Sequence, residues 1–154
     1  MRVTEFLDKS AIPYEVKEHP PTFTAQEMAA VEHEPGQYVA KPVIIKADGE
    51  VMMCVLSACY KIDLGALKGQ LGAQSVELVD EKEIGEIFSD CELGAEPPFG
   101  NLYDLPTLMD EALETDDHIT FQAGTHERAI RISMNDYRKL VKPKVLEFSY
   151  HMTS

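Results

Sequence analysis

Asp48-Gly49, set between the apolar runs Val39 to Ala47 and Val51 to Ser57, constrains this chain more than any other feature. An Asp-Gly pair tolerates the positive φ that a two-residue hairpin loop requires at both positions. The flanking runs are rich in Val and Ile, side chains that suit a pleated strand. Together the three pieces predict an antiparallel β-hairpin.

The other segments supply both strands and helices. A short helix is expected from Thr4 to Lys9, carrying Phe6 and Leu7, and a strand from Tyr14 to Glu18. Thr24-Ala25-Gln26-Glu27 has capping-box spacing, so a helix is expected from Ala25 to His33, ended by Pro35-Gly36. Asp63 to Leu71 reads as a helix closed by Gly72, and Val76 to Val79 as a short strand. Asp80-Glu81-Lys82-Glu83 starts another helix reaching about Phe88. Beyond the loop Cys91 to Gly100, strands are expected at Thr107 to Asp110, His118 to Ala123 and Arg128 to Ile132. Ser133 can cap a last helix, Asn135 to Val141, which Pro143 stops. Strands dominate both halves with helices interspersed. The expected class is α/β (mixed α+β), a mixed sheet with helices packed on it. The tail Phe148 to Ser154 carries no structural signal, and disorder is one reading of it.

At 154 residues the chain has the size of one domain, taken as 1–154. With 44% hydrophobic and 27% charged residues it is ordinary globular material rather than a disordered one. No apolar run approaches the ~18 residues that cross a bilayer, and the start lacks the apolar core of a signal peptide. These features point to the cytoplasm and to no membrane partner. The three cysteines, Cys54, Cys59 and Cys91, match no zinc spacing. Cys54 lies in the run Val51 to Leu56 and reads as a small hydrophobe, and free thiols suit a reducing compartment. The histidines at 19, 33, 118, 126 and 151 show no metal-ligand spacing, so neither metal nor cofactor is expected. A net charge of -13 excludes a stand-alone, high-affinity nucleic-acid binder, because neutralising phosphates needs a basic surface. An RNA substrate fits only through small, local contact, or with a partner protein holding the RNA.

Three segments could carry chemistry. On the strand Val39 to Ala47, alternation places Lys41 with Val39, Val43 and Ile45, the more apolar face. A charge there is costly unless it is paired, solvated in a cleft or used. Its stem can also snorkel to solvent near the strand start. Lys46, beside the turn, reads as a solvated lysine. The segment Gly94-Ala95-Glu96-Pro97-Pro98-Phe99-Gly100 has a glycine at each end and two prolines inside. It reads either as a structural turn or as a stiff loop whose backbone groups orient a small polar ligand or an oxyanion. Gly124-Thr125-His126 joins two predicted strands, so His126 is either simply exposed or stands at a pocket mouth. No spacing suggests a nucleophilic triad.

His19-Pro20, Thr24 to Glu27, Ala40 to Lys46, Gly94 to Leu102 and Gly124 to Arg131 together resemble the YbaK/EbsC family, the editing domain also inserted in bacterial prolyl-tRNA synthetases. The resemblance spans about residues 3 to 145. It implies a mixed sheet curled into a partly open barrel with surrounding helices. It also implies an aminoacyl-tRNA deacylase that hydrolyses the ester joining a wrong amino acid to tRNA. Lys41 matches the family's key lysine, Gly94 and Pro98 its GxxxP loop, and His126 a histidine associated with amino-acid discrimination. Ala95, Glu96, Pro97 and Phe99, with Gly124, Thr125 and His126, then become candidate substrate-binding residues. Pro42 departs from the pattern. Family members often carry a small polar residue after the lysine, and proline removes both that group and a backbone donor.

On this reading Lys41 anchors the terminal adenosine's phosphate or positions the ester. The loop backbone orients the aminoacyl group or the water, and a tRNA 2′-hydroxyl helps activate that water. The implied partners are the acceptor end of a mischarged tRNA and an aminoacyl-tRNA synthetase. Two other readings fit the same residues: a module that binds a small ligand or the aminoacyl-adenosine end without turnover, and an acidic interaction protein docking on a synthetase.

Overall fold

The computed structural model of the chain describes residues 2–21, 27, 28, 30 and 35–151. Most of the helix expected from Ala25 to His33, with its Thr24 start, lies outside the described residues, as do the last three residues of the tail.

The predicted hairpin is present. Ala40–Ala47 (β2) and Glu50–Ser57 (β3) pair antiparallel with Ala47 opposite Glu50. Asp48 and Gly49 have φ of 49° and 86°, the left-handed conformations that a tight turn demands. The choice of Asp has a second cause. Its Oδ1 accepts the N–H groups of Gln74 and Ser75 at 3.0 and 2.9 Å, and its own N–H donates to the Ser75 carbonyl at 3.0 Å. That stitch lays Val76–Leu78 (β5) antiparallel against β2.

A mixed sheet of order β5-β2-β3-β6-β9 results, where Thr107–Asp110 (β6) runs parallel both to β3 and to Lys144–Leu146 (β9). A second sheet aligns Glu15–Glu18 (β1), Arg128–Ser133 (β8) and His118–Gln122 (β7), all antiparallel. The two meet at an isolated parallel bridge, Val39 to Thr120. The described strands close no barrel.

Both faces of β3 are covered, which explains its unbroken apolar sequence. On one face Ala40, Ile44, Met53, Val55 and Met109 pack with Ile119, Phe121, Ile130 and Ile132 of the second sheet. Val3 and Leu7 of the helix Arg2–Lys9 (α1) and Tyr137 of the helix Met134–Val141 join them. On the other face Ile45, Cys54, Leu56 and Leu108 meet Leu67, from the helix Leu64–Leu71, and Phe148. Each fully buried side chain of this size contributes about 1.5–3 kcal/mol. The cysteines are free, and burial pushes the thiols of Cys54 and Cys91 to about 12 and about 11.

The helix starts follow their capping residues. Asp63, Asp80 and Ser133 each accept the N–H three residues on, from Ala66, Glu83 and Asp136, at 3.0, 2.8 and 3.1 Å. Two expectations need correction. Lys46 is no plain solvated lysine: its Nζ lies 3.0 Å from Glu83 Oε1 and is partly buried. The tail is ordered as far as His151. Phe148 is fully buried, its N–H donates to Asp110 Oδ1 at 2.9 Å, and Ser149–His151 pairs with Tyr60–Ile62. The buried aromatic ring and the buried Asp110 carboxylate outweigh the tail's weak strand propensity.

Candidate functional site

β2 begins at the seam between the two sheets, and its first residues border a cavity of about 180 Å³. Met28, Val39, Ala40, Lys41, Pro42, Gly94, Glu96 and Gln122 line it. This is small beside the ~300–1,000 Å³ of pockets that enclose drug-sized ligands. Three polar side chains converge on it, from three separate parts of the chain.

Lys41 is half-buried, and among the described residues its ammonium has neither an ion pair nor a hydrogen bond. Burial lowers its pKa below the usual lysine range; nearby Cys59 opposes that shift and Lys61 adds to it. Glu96 is 8% exposed. One of its oxygens accepts the Gly94 N–H at 3.1 Å. Although Lys41 and Glu96 border the same cavity, they form no ion pair with each other. Gln122 is 7% exposed, and its enclosed Oε1 has no hydrogen-bond partner among the described residues.

The loop spends most of its backbone groups on itself and its supports. Gly94 donates to Glu96, and Ala95 donates to the Glu92 carbonyl at 3.0 Å. Pro97 and Pro98 have no N–H to give. Among the described residues, the Glu96 N–H is the one amide between Gly94 and Pro98 left without a protein acceptor. Gly94 has φ of 88°, a conformation that favours glycine at this rim.

The turn Gly124-Thr125-His126 clamps this loop from outside the cavity. Gly124 N–H donates to the Ala95 carbonyl, and Glu92 N–H to the Gly124 carbonyl, both at 2.8 Å. The His126 N–H donates to Glu92 Oε1 at 2.7 Å, and its Nε2 lies 2.8 Å from the Leu93 carbonyl. A carbonyl only accepts, so Nε2 carries the proton. The imidazole also backs Gly94: a Cβ there would stand 3.4 Å from His126 Cε1.

The residues singled out in the sequence therefore divide. Lys41, Gly94 and Glu96 border one cavity. Ala95, Pro97, Pro98 and Phe99 are buried behind it. The Pro98 carbonyl accepts the Tyr137 hydroxyl at 2.6 Å. Phe99 is enclosed by Phe6, Phe121 and Tyr137, with ring centroids 6.2, 5.4 and 5.4 Å away. It anchors the loop in the core rather than facing a ligand. Gly124 and His126 support the loop. Thr125 lines a neighbouring groove of about 480 Å³ with Glu18, His19, Glu92, Glu127 and Arg128. That groove is larger but bears three carboxylates, and its Arg128 lies 3.4 Å from Glu18. It would repel a phosphate, so the smaller cavity is the stronger candidate.

Sequence reasoning missed Gln122. Gln122 alternates with His118 and Thr120, and a polar face of this kind reads as solvent-facing. Its place beside Lys41 follows from the Val39–Thr120 bridge, a long-range contact with no local signal. Pro42, noted as a departure, also lies on the cavity wall, where it adds apolar surface.

Comparison with known proteins bears on the family and the fold. The family model of the aminoacyl-tRNA editing domain matches residues 19–140. The multifunctional Ser/Thr-tRNA deacylase ProXp-y of Escherichia coli (strain K12) is 28% identical over 114 residues, 71% of this chain and 68% of that protein. The prolyl-tRNA editing protein ProX of Acetoanaerobium sticklandii is 26% identical over 142 residues, 88% of this chain and 86% of that protein. A solved structure whose description suggests a trans-editing role for prolyl tRNA synthetase superposes with a TM-score of 0.85. Its identity is 22%, covering 97% of this chain and 95% of that one.

Proposed function

Since this chain belongs to the aminoacyl-tRNA editing domain family, we propose that it is a deacylase that acts in trans in the cytoplasm on mischarged tRNA. The observation that carries this reading is the pair of opposite charges, Lys41 and Glu96, bordering one small cavity without pairing to each other. The end of an aminoacyl-tRNA has matching charges, an anionic phosphodiester and a cationic α-ammonium. Lys41 takes the terminal phosphate or positions the ester, and Glu96 takes the ammonium. Both interactions hold the scissile ester between them, and orientation of this kind accounts for a large share of many rate enhancements.

The free Glu96 N–H is the donor available to polarise the ester carbonyl or steady the oxyanion. Water is the nucleophile, and the neighbouring ribose 2′-hydroxyl of the tRNA relays its proton, so no protein nucleophile is needed. On this reading residues 1–154 form one editing unit. The same reading takes the two sheets, which meet at the Val39–Thr120 bridge, as the sides of a partly open barrel with the cavity at their seam. The relatives named as Ser/Thr-tRNA deacylase and prolyl-tRNA editing protein support the same chemistry. A net charge of -13 limits contact to the acceptor end, with a synthetase as the partner that presents it.

The test is single-turnover deacylation of a panel of mischarged tRNAs by the wild-type protein and Lys41→Ala. The proposal requires turnover of at least one tRNA by the wild type, and a fall of about 10²-fold or more in the variant. Equal rates for the two proteins would remove Lys41 from the mechanism. Binding of the tRNA end without product release would instead leave a binding module.

A further inference from the structure

The chain carries 14 Lys and Arg against 27 Asp and Glu, yet a groove of about 540 Å³ departs from that balance. Arg138, Lys139 and Lys142 line it with Asn135, Pro143 and Val145, and no carboxylate stands on its wall among the described residues. Lys139 and Lys142 are exposed and form no ion pair among the described residues. Arg138 meets Glu114 Oε2 at 3.8 Å, a long, half-exposed and therefore weak contact. Lys142 follows Arg138 by four residues and Lys139 by three, spacings at which like charges disfavour one another. A helix end does favour cations, and Arg138 and Lys139 lie in the last turn of the helix Met134–Val141. That alone gives little reason for a lysine at 142, whose φ of 50° is a left-handed conformation that favours glycine. An anion in the groove offsets the repulsion and uses all three charges.

The sheet register relates this groove to the cavity. Pro42, Val55, Met109 and Val145 form one row across β2, β3, β6 and β9. Pro42 lines the cavity at one end of the row, and Val145 lines the groove at the other. Neighbouring strands lie about 4.8 Å apart, so the two ends are separated by about 14 Å. Successive phosphates of one nucleic-acid strand advance about 3.4 Å along a helix axis, and about four such steps span that distance. An RNA strand whose terminal nucleotide sits at Lys41 therefore has backbone phosphates within reach of the groove. The wall carries no aromatic side chain, and its apolar residues are Pro143 and Val145. It lacks the large buried anchors of a protein interface, whereas phosphates require only the cations.

We infer that the groove of Arg138, Lys139 and Lys142 binds the phosphodiester backbone of the tRNA acceptor end, a few nucleotides from the terminus held in the cavity. The identity of the RNA rests on the deacylase reading above. Three cations gathered in one groove supply the small, local contact that a chain of net charge -13 allows. Phosphate contacts position a nucleic acid without reading its sequence. The groove thus contributes affinity common to all tRNAs and leaves the choice of amino acid to the cavity.

The experiment measures equilibrium affinity for an uncharged tRNA between about 50 and 200 mM salt, so that the readout does not depend on turnover. The proteins are wild type, the double variant Lys139→Gln with Lys142→Gln, and the single variants Lys142→Gly and Lys142→Arg. The double variant is expected to bind about tenfold or more weakly at the low-salt end. Its slope of log affinity against log salt is expected to be shallower by about two, one for each cation removed. Lys142→Gly relaxes the left-handed backbone and keeps the helix end intact, so its expected loss of about one unit of slope reports the charge alone. Lys142→Arg retains the charge and is expected to bind as wild type does. Absence of salt-dependent tRNA binding by the wild type, a double variant with wild-type affinity and slope, or a Lys142→Arg loss as large as that of Lys142→Gly overturns the inference. Unchanged tRNA affinity together with lost binding of a polyglutamate probe assigns the groove to an acidic protein segment, which overturns it as well. Failure to deacylate any charged tRNA, with these binding changes present, overturns the deacylase reading and leaves the groove standing as an RNA site.

Discussion

His126 Nε2–H donates to the Leu93 carbonyl at 2.8 Å, and the same ring backs the Cα of Gly94. The histidine thus sets the position of the cavity rim from behind. This placement gives an alternative to direct contact as the route by which it would influence amino-acid selection. His126→Ala removes the donor and the backing together. The expected result is a loss of about 0.5–1.5 kcal/mol in unfolding free energy, with a fall in kcat larger than any change in KM. His126→Gln, which can again donate to Leu93, is expected to recover part of the rate. Denaturant melts and steady-state deacylation test this; a KM-only defect would indicate direct substrate contact instead.

Tyr137 reaches the loop from the opposite side. Its hydroxyl donates to the Pro98 carbonyl at 2.6 Å inside the core, and burial pushes the phenol well above its usual range. Tyr137→Phe deletes one oxygen and leaves that carbonyl without its donor. We expect a stability loss of about 1–3 kcal/mol. If the loop shifts with it, deacylation falls by up to about 10²-fold. A variant as active as wild type would show that the Phe99 packing alone fixes the loop.

Asp116 lies away from the cavity and governs stability rather than activity. Burial pushes its carboxyl up to about 6 from an ordinary 3.8, with His118 drawing it down and Asp117 raising it further. Its Oδ2 is enclosed without a partner among the described residues. The native state therefore holds a proton that the unfolded chain releases across that interval. Stability falls as pH rises from 3.8 to about 6, and the loss is complete above it. Asp116→Asn should accordingly melt higher than wild type at neutral pH, with the difference vanishing below pH 3.8. A melting difference that is the same at both ends of that range would assign the effect to packing.

Elements with local chemistry were the legible ones. Asp48-Gly49 announced the hairpin, and Asp63, Asp80 and Ser133 marked helix starts that their side-chain oxygens indeed cap. Lys41 stood out because a charge interrupted an apolar face. What escaped was whatever depends on distant partners. Tyr60–Ile62, Lys144–Leu146 and Ser149–His151 are three-residue strands with no periodicity to detect. Phe99 looked like a ligand contact because it belongs to the loop motif, yet its ring is core. Gln122 needed the seam between the sheets before it meant anything.

The loop's supports and the cavity's lining come from different residues. Gly124, His126, Tyr137 and Phe99 fix the loop's position, while Met28, Val39, Ala40, Pro42 and Gln122 form the wall facing it. Such a division lets the two drift independently over evolutionary time. On the deacylase reading, altering the wall exchanges one rejected amino acid for another without re-optimising the clamp on the loop. Pro42, an apolar residue beside Lys41 on that wall, makes no contact that the clamp depends on.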